Sequence, residues 1–234
     1  MKQQPRLKVL FLTSSYPRSQ DDTASVFLRY LAEQLASLGL EIHVLAPADG
    51  RGKTTTEGKI KVHRFQYFPA RLQTLAYGSG IMPNLQRSPW LWLQVPFFIL
   101  AMTCTLLRTI RNQQIQLLHA HWIIPQGLVG VVAKYLCRLS LVTTIHGADA
   151  FTLRGSLAGA LKRFVIAYSD AWTTNTPATS QAIDPTSTTP QAHVIPMGVD
   201  TELFSSGDPA ALRRELPEQQ FLLLFVGRLI EKEK

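Results

Sequence analysis

Two short polar clusters carry the residues best suited to chemistry. His119-Ala120-His121-Trp122 follows the apolar run Ile115 to Leu118, and His146-Gly147-Ala148-Asp149 follows the β-branched run Leu141 to Ile145. The first offers two imidazoles and an indole, the second an imidazole and a carboxylate. A neutral imidazole donates from one ring nitrogen and accepts at the other, so it can orient hydroxyl groups without being the base. His119 is expected to point opposite to His121 if the strand continues through it, in a core or supporting role. Asp149 either holds a ligand hydroxyl or caps the helix that follows. His121, His146 and His193 are too scattered along the chain to argue for a metal site.

These clusters need elements to position them. Pro125-Gln126-Gly127 reads as a turn and Leu128 to Leu139 as a helix, so the two apolar runs are the strands of a βαβ unit, parallel and buried on both faces. In such sheets the loops at the carboxyl ends of the strands line the ligand crevice, and both clusters fall there. Upstream, Lys8 to Thr13 reads as the first buried strand. A helix follows, with Val26, Phe27, Tyr30, Leu31, Leu35 and Leu38 on its inner face, Asp22, Thr23 or Ser25 as cap, and Gly39 as stop. Glu41 to Ala46 is the next strand, closed by Pro47. This order begins a doubly wound, mostly parallel, Rossmann-like sheet of the α/β class.

The connecting segments are less regular. Residues 48–59 read as a surface loop, Lys61 to Phe65 as an edge or half-buried strand, and Gln66 to Ser88 as an irregular excursion, either functional or packed by Phe65, Tyr67, Phe68 and Tyr77. Ser156 to Tyr168 reads as a helix whose apolar positions Leu157, Leu161, Phe164 and Val165 alternate with Lys162 and Arg163. Asp170 to Thr174 and His193 to Ile195 read as short strands, separated by a helix stub and loop over Thr176 to Pro190.

Composition bounds the class. The 234 residues are 46% hydrophobic, ample for a core, and carry a net charge of +8, which favours anionic partners such as phosphates or an anionic membrane surface. No clustered basic stripe or helix-turn-helix pattern supports nucleic-acid binding. The first turn lacks G-x-G-x-x-G, which disfavours a dehydrogenase, and no G-x-x-x-x-G-K-[ST] loop is present. Cys104 and Cys137 read as small buried hydrophobes in helices, consistent with a reducing compartment. No export signal is read at the N-terminus. Ser88 to Leu107 is uncharged, but Pro96 as a helix start leaves too short a run before Arg108 for a ~30 Å hydrocarbon core, so a buried or membrane-surface helix is favoured over a span. Trp90 and Trp92 beside Arg87 suit an interfacial anchor.

Residues 1–200 are expected to form one Rossmann-like domain, 201–220 an interdomain linker with a small helix near Ala210 to Glu215, and 221–234 the first strand of a second, incomplete domain.

The motifs together resemble those of the N-terminal half of GT-B glycosyltransferases of family 4. They are Ser15-Tyr16-Pro17-Arg18, Gly39 through Pro47, His119-Ala-His-Trp122 with Pro125-Gln-Gly127, Thr144-Ile-His-Gly-Ala-Asp149, Ile195-Pro-Met-Gly-Val-Asp200 and Val226-Gly-Arg-Leu229. The wording resembles bacterial members that build cell-surface polysaccharide and glycolipid. The resemblance implies transfer of a sugar from a nucleotide-sugar to a lipid-linked or polysaccharide acceptor, with retention at the anomeric carbon, no cofactor and no metal. It implies His146 as the catalytic-site histidine and Arg228 as the diphosphate-binding arginine, with Lys232 and Lys234 as candidates for the accompanying donor-binding lysine. Ser25, His121, Trp122 and Asp149 fall on the acceptor side. Asp21 to Ser25 stands where many members carry a Gly-rich pair. The expected location is cytoplasmic, peripheral on the inner face of the plasma membrane, and the chain alone is expected to lack activity. A non-catalytic binding or assembly subunit with a separate donor-binding partner is the alternative.

Overall fold

The computed structural model describes residues 6–50, 52–185 and 190–208, together with 210, 213, 214, 223, 225 and 226. The chain divides into two compact units, Met1–Gly198 and Val199–Lys234.

The first unit is built on an eight-stranded sheet: β1 (Lys8–Leu12), β2 (Glu41–Pro47), β3 (Thr54–Glu57), β4 (Ile60–Phe65), β5 (Leu117–His121), β6 (Ser140–Ile145), β7 (Ala171–Thr174) and β8 (His193–Val194). Their order is β3-β4-β2-β1-β5-β6-β7-β8, and every pairing is parallel except β3 with β4. The chain winds outward from β1 in one direction through β2 and β4, then returns to lay β5 on the other side of β1. The switch point of this doubly wound sheet therefore lies between β1 and β5, where a ligand crevice opens at the carboxyl ends.

Alternation along the strands divides the core. Leu10, Leu12, Leu45, Leu118 and Ala120 face the side covered by α3 (Gln94–Gln113) and α4 (Leu128–Cys137). Val9, Phe11, Ile42 and Val44 face the other side, covered by α1 (Val26–Ser37). A third cluster joins Ile145, Val165, Ile166, Trp172 and Ile183 around α6 (Ser156–Tyr168) and α7 (Pro177–Ile183).

Several expectations are corrected. Residues 48–59 are not all loop, because Thr54–Glu57 is the edge strand of a hairpin with β4, and β4 is thereby an interior strand. Glu57 pairs with Ile60 across the two-residue turn Gly58-Lys59, and Gly58 supplies the positive φ (58°) that such a turn needs. The excursion from Gln66 to Ser88 contains α2 (Ile81–Arg87) and is tied down by Asn84, whose Nδ2 donates to the carbonyls of Leu75 and Tyr77 at 3.0 and 2.7 Å. On α1 the buried stripe is Leu28, Ala32 and Ala36, whereas Tyr30 and Leu38 are exposed. On α6, Leu157 and Phe164 are exposed and Lys162 is buried. Cys104 is exposed, whereas Cys137 is half-buried and packs against the core between the sheet and α3–α4.

The uncharged stretch forms a 3₁₀ segment, Pro89–Leu93, that runs directly into α3. By length and composition Pro89–Gln113 could cross a membrane. Yet Phe98, Met102, Leu106 and Ile110 recur every four residues and pack on the sheet, while Trp90, Trp92, Leu93, Phe97 and Leu100 are exposed.

In the second unit α8 spans Thr201–Ser205. Of the small helix expected near Ala210 to Glu215, Ala210 and Arg213 are described as helical, and Arg214 N–H donates to the Ala210 carbonyl at 3.2 Å; Gly227-Arg228-Leu229 lies wholly outside the described residues. Of the strand expected over 221–226, Leu223, Phe225 and Val226 are described, and they are exposed and outside any strand.

Candidate active site

The site grows from the alternation of β5. Leu118 and Ala120 point into the α3–α4 side, so His119 and His121 both point the other way. The expectation that the two histidines face opposite sides is wrong for a simple reason: residues two apart on a strand share a face. Their ring centroids are 4.1 Å apart, and Phe11 of β1 meets both edge-on, at 5.1 Å from His119 and 4.6 Å from His121. The strand ends at His121, and Trp122 then takes φ 73°, a left-handed conformation that a bulky side chain rarely adopts. This turns the chain into Ile123–Gly127, which delivers it to α4.

β6 ends one residue before His146. His121 Nδ1 lies 3.1 Å from His146 Nε2, so the two polar clusters, 25 residues apart in sequence, meet through their imidazoles. His146 is half-buried and flanked by Trp122 at 4.9 Å and by Phe27 of α1 at 5.1 Å between ring centroids. Phe27 lies two residues beyond Ser25, whose φ of 53° begins the helix and whose hydroxyl takes no partner among the described residues. The arrangement presents an imidazole packed beside two aromatic rings, which themselves meet at 6.5 Å between centroids, at the carboxyl edge of the sheet, next to the β1–β5 switch.

Asp149 lies in the first turn of α5 (Ala148–Thr152), with both carboxylate oxygens engaged. Oδ2 accepts the backbone N–H of Ile123 at 2.9 Å and Oδ1 that of His146 at 3.1 Å. It is buried, so its place is beneath the site, joining the turns after β5 and β6. Burial raises its pKa against the lowering pull of these backbone donors. Nearby, the buried Lys162 Nζ donates to the carbonyls of Ala150 and Leu153 at 2.7 and 2.6 Å, fixing the α5 loop from below.

Burial holds the imidazoles neutral. His119 is pushed down to about 3 and His146 to about 4, and His121 falls well below its ordinary 6.5, with burial the leading cause in each. His119 Nε2 pairs with Thr144 Oγ1 at 2.6 Å, and Thr144 in turn with Thr173 Oγ1 at 2.6 Å. His121 Nε2 is fully buried without a partner among the described residues.

The loop after β1 is clasped from beneath by Arg64. Its guanidinium donates to Tyr16 O at 3.1 Å, to Tyr77 Oη at 2.8 Å and to Pro17 O. Outside the clasp, Arg18 Nε meets Asp22 at 2.6 Å, and this bond lowers the Asp22 carboxyl to about 2.

Of the residues singled out from sequence, His121, Trp122, His146 and Asp149 come together, and Ser25 is on the helix that carries Phe27. His193 is exposed on β8, away from this group by the sheet order. Arg228, Lys232 and Lys234 lie outside the described residues. No group of three or more His, Cys, Asp or Glu suited to a metal ion occurs among the described residues. Sequence reasoning missed Phe27 as a wall of the site, because its apolar type and spacing read as core. It also missed Asn175, whose Nδ2 reaches the His146 carbonyl at 3.5 Å. Its place just past the end of β7 was the available signal.

A doubly wound parallel sheet with its site at this edge defines the N-terminal, Rossmann-like half of a GT-B fold. The family model for Glycosyltransferase Family 4 matches residues 24–203, and the chain belongs to that family. TuaC of Bacillus subtilis, named for teichuronic acid biosynthesis, is 23% identical, over 97% of this chain and 60% of its own length. The D-inositol 3-phosphate glycosyltransferase of Acidothermus cellulolyticus is 29% identical, over 88% of this chain and 46% of its own. The chain thus spans about half the length of these relatives. Among solved structures, Anabaena HepE in complex with UDP superposes with a TM-score of 0.57 over 89% of this chain and 50% of that one, at 17% identity. A sucrose-phosphate synthase structure from Thermosynechococcus elongatus gives 0.58 over 89% and 98%, at 15% identity. These likenesses are of fold.

Proposed function

We propose that this chain supplies the acceptor half of a retaining glycosyltransferase that moves a sugar from a nucleotide-sugar to a lipid-linked or polysaccharide acceptor. The observation that carries the reading is His146, held by His121 and packed beside Trp122 and Phe27 at the crevice edge. Aromatic faces suit the apolar faces of a pyranose, and a neutral imidazole suits its hydroxyls. The relation to TuaC favours an envelope polysaccharide as the acceptor class. Negative charge grows on the leaving diphosphate as the glycosidic bond breaks, and a fixed donor at that charge is worth roughly 3–4 kcal/mol of barrier. Arg228 is proposed for that role, with Lys232 or Lys234 beside it. Ser25, Trp122 and His121 line or support the acceptor side, and Asp149 supports it from below.

The reaction is proposed to need no metal and no cofactor, on the family resemblance, and full activity in the presence of EDTA checks that part. The work site is proposed to be the cytoplasmic face of the membrane. Between Glu57 and Asp149 the sequence holds no acidic residue and nine Lys or Arg, and the exposed Trp90, Trp92, Leu93, Phe97 and Leu100 lie within that stretch. Exposed aromatics within a stretch free of acidic residues suit anionic headgroups, at about 1 kcal/mol for each Lys or Arg that lies near them.

The test is saturation-transfer NMR of the chain with oligosaccharides of envelope polysaccharides. Contact with the sugar ring protons that is lost in His146→Ala supports the reading. Absence of contact with every such acceptor, in a folded chain, removes it and favours the assembly-subunit role.

A further inference from the structure

We infer that His121 is a positioning residue: it fixes His146 as the tautomer protonated on Nδ1, so that His146 meets a ligand oxygen as a hydrogen-bond donor. The nature of that oxygen, a sugar hydroxyl or a phosphate, rests on the proposed function. The tautomer does not.

Two arrangements of protons are compatible with the 3.1 Å contact between His121 Nδ1 and His146 Nε2. In one, His146 donates from Nε2. His121 Nδ1 is then bare and its proton must sit on Nε2, which is fully buried and has no partner among the described residues. That leaves an orphaned N–H in the interior. In the other, His121 donates from Nδ1 and leaves only a lone pair at its buried Nε2. His146 then accepts at Nε2 and carries its own proton on Nδ1. Buried donors without acceptors are the rarer defect in folded proteins, while under-satisfied acceptors are better tolerated, so the second arrangement is favoured.

The rest of the site agrees with this assignment. His146 Nδ1 makes no hydrogen bond among the described residues, and the ring is only half-buried, so that edge remains for a ligand. His121 itself cannot turn. Its ring is held against His119 at 4.1 Å and Phe11 at 4.6 Å, and its side chain has no exposure. Burial also keeps both rings neutral, so the pair shares one N–H···N bond and not a cation. The consequence for chemistry is direct. A His146 whose accessible nitrogen carries the proton orients or stabilises a ligand oxygen and is not placed to take a proton from it.

The experiment is a long-range proton–nitrogen correlation spectrum of the ¹⁵N-labelled chain at neutral pH, assigned through single histidine substitutions. The expected spectrum has protonated-type Nδ1 and bare-type Nε2 signals for both His121 and His146. A protonated Nε2 on His146, or averaged signals from two exchanging tautomers, overturns the inference. In His121→Asn the side-chain amide nitrogen stands close to the place of Nδ1, and the His146 pattern should persist. In His121→Phe the donor is gone, and His146 should move to the Nε2-protonated or averaged pattern. An unchanged His146 in that variant would show that His121 does not set the tautomer. Should either variant fail to fold, the wild-type spectrum decides by the scalar coupling across the His121 Nδ1–H···Nε2 His146 bond, whose presence supports the inference and whose absence overturns it. Sugar binding has no part in these spectra, so the tautomer and the proposed function can fail separately.

Discussion

Asp149 Oδ2 accepts the backbone N–H of Ile123 at 2.9 Å, a bond between residues 26 positions apart that ties the turn after β5 to the turn after β6. The carboxylate's other oxygen takes the N–H of His146. Asp149→Asn keeps the volume but presents an amide NH₂ to one of two buried donors. It should lower the unfolding free energy by about 1–3 kcal/mol, and Asp149→Ala by at least as much. Urea denaturation monitored by Trp fluorescence measures both.

A tight helix contact gives a second expectation. A Cβ on Gly127 would sit 2.6 Å from Val165 Cγ1. Gly127→Ala should therefore destabilise by roughly 1–3 kcal/mol through overpacking. Removing the obstacle in Gly127→Ala/Val165→Ala should give a double mutant more stable than the sum of the two losses, read as a coupling energy in a double-mutant cycle. Strict additivity would remove the steric explanation.

The histidines set the response to acid. His43, His63, His119, His121 and His146 all have folded pKa values lowered by burial, with His63 and His146 near 4. The unfolded chain takes up these protons as pH falls through about 6.5, and the folded chain resists until about 4. A depressed imidazole thus contributes stability that is complete above pH 6.5 and lost progressively between pH 6.5 and 4. Unfolding free energy measured across that window should rise with pH, with a slope corresponding to more than one proton. A flat profile would contradict the burial of these rings.

Arg64 offers a test of geometry over charge. Its planar fork reaches Tyr16 O, Pro17 O and Tyr77 Oη together. Arg64→Lys keeps the charge but not the fork, so it should destabilise by about 1–3 kcal/mol and increase amide exchange in the loop after β1.

The exposed aromatic surface makes a binding prediction. Trp90→Ser/Trp92→Ser should leave the fold intact, both side chains being at least half exposed. It should reduce co-sedimentation with vesicles containing phosphatidylglycerol several-fold. Equal binding by the variant and the parent would remove this surface as the membrane contact.

Much of the frame was legible in the sequence because buried parallel strands are continuous apolar runs and the helices between them end in recognisable stops. Lys8–Leu12, Glu41–Pro47 and Ser140–Ile145 fall within a residue or two of their expected limits. What misled was a residue whose type and place point in different directions. Thr54–Glu57 is polar enough to read as loop, and its strand exists only through pairing with β4. Lys162 reads as solvent-facing until the carbonyls of Ala150 and Leu153 are seen to receive it. At the site, the four residues near the strand ends were legible from their positions. Phe27 was not, since no local pattern distinguishes an aromatic that walls a crevice from one that fills a core. The His121–His146 contact depends on two strands lying side by side, which spacing alone does not reveal.

The Asp149 bridge also decides what sort of chemistry this edge of the sheet can receive. Backbone N–H groups at the ends of parallel strands commonly form a cradle for anions. Here the donors of Ile123 and His146 are already occupied by a carboxylate of the chain itself. A phosphate arriving at that point would find acceptors where it needs donors.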